Sequence, residues 1–136
     1  MSNEFVSYEI ALKLKELGFK EQCFLFYDID KKLYASEAYY KIGYNVLNEE
    51  VIAPLYQQVF RWFREEHNWQ SSIEATNDQH SHKLGFNYWI WNNITGEEYH
   101  TMPKNKSSGD WCFKTYEEAQ KECILNLISI IKNQKK

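Results

Sequence analysis

The sequence predicts an α+β fold: a single domain over residues 1–136, with an antiparallel sheet packed with about three helices in two layers. Three observations lead there. Apolar residues recur at helical spacing near both ends of the chain and again in the middle. Aromatic and β-branched runs with turn residues between them fill the intervals, and no repeat, linker or break in composition divides the chain.

The first helix starts at Ser7, whose hydroxyl suits an N-cap, and ends near Leu17, ahead of a glycine suited to a left-handed stop. Tyr8, Ala11 and Leu12, with Ile10, Leu14 and Leu17 beside them, supply its apolar side. Residues 23–27 are apolar and aromatic, and Asp28, Ile29, Asp30, Lys31 and Lys32 read as a turn into Leu33, Tyr34 and Ala35, which together predict a β-hairpin. Residues 37–50 have no clean period and read as irregular or as part of a further strand. Pro54 fits a first helical turn, and Leu55, Val59, Trp62 and Phe63 then form a stripe that predicts a second helix to about His67.

Beyond it, residues 69–76 alternate weakly, 77–83 form a polar loop, and 84–91 are strongly β-prone. Residues 92–96 supply a turn into 97–102, so two or three antiparallel strands are expected here. Residues 103–110 are the most loop-like stretch, and Trp111, Cys112 and Phe113 suit a short strand. The last helix has a capping box, Thr115 with Glu118, and an apolar face of Tyr116, Ala119, Cys123, Ile124, Leu127 and Ile131.

Composition narrows the function classes. A hydrophobic share of 43% with 26% charged residues is ordinary for a folded globular chain. The longest apolar runs fall far short of the ~20 residues that cross a bilayer, and the N-terminus lacks a secretory pattern, so a cytoplasmic protein without membrane attachment is expected. A net charge of -3 with interspersed signs offers no broad basic field, which disfavours nucleic acid. Cys23, Cys112 and Cys123 are odd in number and widely spaced, and read as reduced thiols rather than as a disulfide or zinc framework.

Three stretches carry a resemblance: Glu4 to Ala11 continuing to Leu17, Gly18 and Phe19; Ala53, Pro54 and Leu55 through Trp62, Phe63, Arg64 and Glu65; and Thr115 to Ala119. Together they resemble a group of small uncharacterised proteins of bacteriophages and of prophages from gut bacteria. The resemblance implies a phage or bacterial cytoplasmic setting and carries no activity, catalytic residue or cofactor with it.

Residues with possible chemistry have simpler structural readings. His80 and His82, near Asp78, are an imidazole pair in a polar loop that fixes no metal geometry. Asp28 and Asp30 beside two lysines are what turn propensity produces, and no Gly-rich phosphate loop accompanies them. Cys123 lies on a helix's apolar face and Cys23 opens an apolar strand; only Cys112 lacks such a structural assignment. No catalytic residue, metal or cofactor is therefore predicted.

The aromatic content is the unusual quantity, at 17% with 5 tryptophans. In the strand from Leu84, strict alternation sends Leu84, Phe86, Tyr88 and Ile90 to one side and Trp89 and Trp91 to the other; in the run from Cys23, Leu25 and Tyr27 oppose Phe24 and Phe26. If the helices cover one face, the other needs a cover of its own. Phe24, Phe26, Trp89 and Trp91 are thus the candidate interface residues, for a second copy of the chain or another protein. Two alternatives stand beside this reading: a planar ligand or single-stranded nucleic acid stacked on Trp89 or Trp91, with Lys104 and Lys106 nearby, and a small enzyme using Asp28, Asp30, His80 and His82. The aromatic face is also open to cover from within, by a helix or by residues 39–44.

Overall fold

The computed structural model describes residues 4–21, 23, 25–35, 51–77, 84–100 and 112–134. In chain order the elements are α1 (Tyr8–Leu17), β1 (Leu25–Tyr27), β2 (Leu33–Ala35), β3 (Val51–Ala53), α2 (Tyr56–His67), β4 (Trp69–Asn77), β5 (Leu84–Asn92), β6 (Glu98–His100) and α3 (Tyr116–Gln134). The class is α+β. Among the described residues every strand pairing is antiparallel, and the strands form two sheets, ordered β2-β1-β3 and β4-β5-β6. Two compact units result: Met1–Trp62 with Ile128–Lys136, and Phe63–Leu127.

In the first unit α1 has the expected ends. Ser7 Oγ accepts from the Ile10 N–H at 3.4 Å, and Gly18 takes φ 96°, where an L side chain is strained. The Gly18 and Phe19 N–H groups return to the Lys15 and Leu14 carbonyls, satisfying acceptors that a helix end would leave open. Ile10, Ala11, Leu14 and Leu17 are buried, and α1 packs beside β3. The hairpin β1–β2 closes as expected around Asp28, whose Oδ1 accepts from the Asp30 and Lys32 N–H groups at 2.9 Å each. Lys31 occupies the left-handed region at φ 63° within that loop.

The sequence pattern did not flag β3. Its three residues, all buried, are too short to show a period, and the following proline drew attention to the helix instead. Yet β-branched residues ahead of a proline favour extended backbone. Helix α2 starts at Tyr56, so Pro54 precedes the helix rather than occupying its first turn. Leu55 is the N-cap, and its N–H donates to Gln58 Oε1 at 3.0 Å, the returning half of a capping box.

The second unit holds the longer strands. β4 and β5 pair along nine residues each, from Trp69↔Asn92 to Asn77↔Leu84, and β6 adds three more residues beside β5. An Asx turn shapes the β5–β6 connection: Asn92 Oδ1 accepts from the Ile94 and Thr95 N–H groups, and Gly96 sits at φ 76°. Phe113 pairs with Phe86 through two 2.8 Å bonds as an isolated bridge, with Trp111 of the short strand expected there outside the described residues. Thr115 caps α3 by accepting from the Glu118 N–H at 3.1 Å, while Glu118 reaches back to the Lys114 N–H.

Candidate interaction surface on the second sheet

The ladder geometry of the second sheet follows from a few bonds. Phe86 exchanges both backbone bonds with Phe113, and Asn92 donates to Glu97, so the backbone groups of these two residues point away from β4. Because such groups alternate along a strand, Phe86, Tyr88, Ile90 and Asn92 bond toward β6 and Gly85, Asn87, Trp89 and Trp91 toward β4. Trp89 and His100 are therefore a non-hydrogen-bonded pair across β5 and β6, the kind whose side chains approach most closely.

One face of this sheet is packed. Trp69, Tyr88 and Ile90 are buried on it, and residues 116–127 of α3 cover it: Asn126 Nδ2 donates to the Tyr88 hydroxyl at 3.1 Å, Tyr116 meets Phe86 edge-on at 5.9 Å, and Cys123 is hydrogen-bonded to Ser71. Burial pushes the Cys123 thiol up to about 12, against a smaller lowering by Ser71, and holds it neutral. Burial likewise raises the Tyr88 hydroxyl.

The opposite face carries two parallel rungs. Ser72, Trp89 and His100 lie side by side across the three strands, and Gln70, Trp91 and Glu98 form the neighbouring rung. Trp89 is 37% exposed, its ring 4.2 Å from the His100 imidazole, and Glu98 Oε2 lies 4.0 Å from His100 Nε2. Trp91 and Gln70 are half-buried. Among the described residues, the fixed charges on the strands of this face, Glu74 on β4 and Glu98 on β6, are both acidic, and both side chains are exposed.

The four candidate interface residues thus separate. Trp89 and Trp91 share the face that α3 does not cover. Phe26 is fully buried on the central strand of the first sheet, beside the Tyr34 ring, and presents no surface to a partner. Alternation correctly placed it opposite Tyr27, but the side it occupies is core. Phe24 lies outside the described residues, as do Asp78, His80, His82, Lys104, Lys106, Trp111 and residues 39–44. The contributions of Glu98 and His100 to this face escaped sequence reasoning, because their place beside the tryptophans depends on strand register.

The remaining candidates take structural roles. The Asp28 carboxylate is occupied by the backbone of its own turn. Cys23 is buried and its thiol is pushed up to about 12, first by desolvation and then by Glu21. Cys112 is half-buried and lies over Gly85, where any Cβ would collide with its sulfur. Among the described residues no three His, Cys, Asp or Glu side chains gather as metal ligands, and no helix is long and apolar enough to cross a membrane. No protein-family model, curated protein or solved structure matches the chain.

Proposed function

We propose that this is a non-enzymatic protein of phage or bacterial cytoplasm that acts by contact with another protein, through the face of the second sheet bearing Trp89 and Trp91. The partner is a second copy of the chain or a host protein. One observation carries the reading: a large aromatic side chain stands 37% exposed in the middle of a sheet face, between a half-buried Ser72 and an exposed His100. Indole rings with polar rims are favoured at the centres of protein interfaces, where they desolvate large area at small entropic cost. Single-stranded nucleic acid suits this face less well, since Glu74 and Glu98 would repel phosphates.

Solution mass by light scattering tests the reading, using the natural chain and a Trp89→Ser, Trp91→Ser double variant with unchanged circular dichroism. A dimer that the double variant turns into a folded monomer makes the face a self-interface. A natural chain whose mass the double variant leaves unchanged, but whose capture of a host protein that variant abolishes, makes it a foreign one. An unchanged mass together with unchanged capture would overturn the reading.

A further inference from the structure

The second sheet has a further surface, the edge of β4, whose outward backbone groups take no part in the rungs just described although Ser72 and Glu74 border both. β4 bonds to β5 through Gln70, Ser72, Glu74 and Thr76, the partners of Trp91, Trp89, Asn87 and Gly85. The backbone N–H and C=O groups of Trp69, Ser71, Ile73, Ala75 and Asn77 therefore point the other way, and no described strand pairs with that side. Glu74 and Ala75 are exposed.

Native sheets guard such edges with short strands, proline, lysine or a bulge. Here β2 and β6 are edge strands of three residues each, guarded by brevity. A segment through Phe5 and Val6 runs along the extension of β3, through the Phe5↔Leu55 bridge and the bond from Val6 N–H to the Pro54 carbonyl. Apart from one charged side chain, Glu74, β4 lacks such devices: it is nine residues long, pairs with β5 without a bulge, and contains no proline, glycine or lysine.

We infer that the β4 edge pairs antiparallel with the β4 edge of a second copy of this chain, about a two-fold axis through Ile73. Only that centre overlaps all nine residues of the strand. It brings the outward groups of Ile73 onto Ile73 of the other copy, Ser71 onto Ala75 and Trp69 onto Asn77, each as a hydrogen-bonded pair. Between them it sets Ser72 against Glu74 and Gln70 against Thr76, pairs that match hydroxyl or amide donors with carboxylate or hydroxyl acceptors and oppose no like charges. Strand addition of this kind takes its affinity from main-chain bonds and its register from such cross-strand pairs.

The test is sedimentation equilibrium on the full chain. Ala75→Pro deletes an outward N–H and sets a ring on the edge while leaving the bonds to β5 in place, as proline allows on an edge strand. It is expected to give a monomer with the natural circular dichroism. Should that variant fail to fold, Ser72→Lys and Ser72→Glu still decide. The first places opposite charges across the axis twice and tightens the dimer several-fold; the second places like charges there and loosens it several-fold. A natural chain that stays monomeric to millimolar concentration, or a dimer indifferent to the charge at position 72, overturns the inference. A dimer lost on Trp89→Ser, Trp91→Ser but unaffected by Ala75→Pro also overturns it while upholding the outer-face reading.

Discussion

Each of the two sheets has a central strand with aromatic residues on both of its sides, and the two put those residues to opposite uses. Around β1 an aromatic residue falls on each side of the strand, and both are used internally. Phe26 is fully buried, while Tyr27 donates its hydroxyl to the Val6 carbonyl at 2.6 Å and packs edge-on against Tyr8 at 5.6 Å. Around β5 the two sides part company: Tyr88 and Ile90 are core, and Trp89 is left at the surface. Alternation of large apolar residues therefore says that both faces of a strand matter, without saying whether the second face is spent on folding or on contact.

The largest effect expected from this comparison is on stability. Phe26→Ala should cost about 3–5 kcal/mol, as large-to-small changes in cores do, a large share of the about 5–15 kcal/mol that holds a domain folded. Trp89→Ser should cost within about 1 kcal/mol. Denaturant titration of the two variants checks this, and comparable losses would place Trp89 among the residues that hold the fold.

Alkaline pH should act on both regions alike. Cys23 and Cys123 have folded pKa values of about 12 against an ordinary 9.0. The folded state binds their protons more tightly, so the stability they contribute is complete below pH 9 and drains away as pH rises toward 12. Each thiol should add a slope of up to about 1.4 kcal/mol per pH unit in that window. Unfolding free energies from pH 8 to 11 for Cys23→Ala and Cys123→Ala should show the slope reduced by about one proton in each.

A smaller effect is expected at the first hairpin. Asp28→Ala removes the acceptor of two turn N–H groups and should cost about 1 kcal/mol, whereas Asp28→Asn, which keeps an oxygen there, should cost less. Thermal melting separates the two, and equal losses would mean that charge rather than geometry holds the turn.

Much of the fold was legible because its signals are local. Ser7, Gly18 and Thr115 mark helix ends by their own chemistry, and Asp28 and Asn92 mark turns in the same way. What escaped depends on pairing. Three residues of β3 have no period of their own, and their place beside β1 is set by register. The same holds for His100 and Glu98, which meet the tryptophans only once β6 is aligned on β5. Burial of Phe26 was illegible for a related reason: alternation tells which residues share a face, and only the packed sheet shows which face is inside.

The central claim, that Trp89 marks a contact surface while the first sheet's exposed residues do not, is tested most directly by site-specific photocrosslinking in bacterial cells. The photoreactive p-benzoylphenylalanine would replace Trp89 in one variant and Ile29, 68% exposed at the tip of the β1–β2 hairpin, in another. The account predicts a discrete protein adduct from position 89 and none from position 29. No adduct at 89, or the same adduct from both positions, would contradict it.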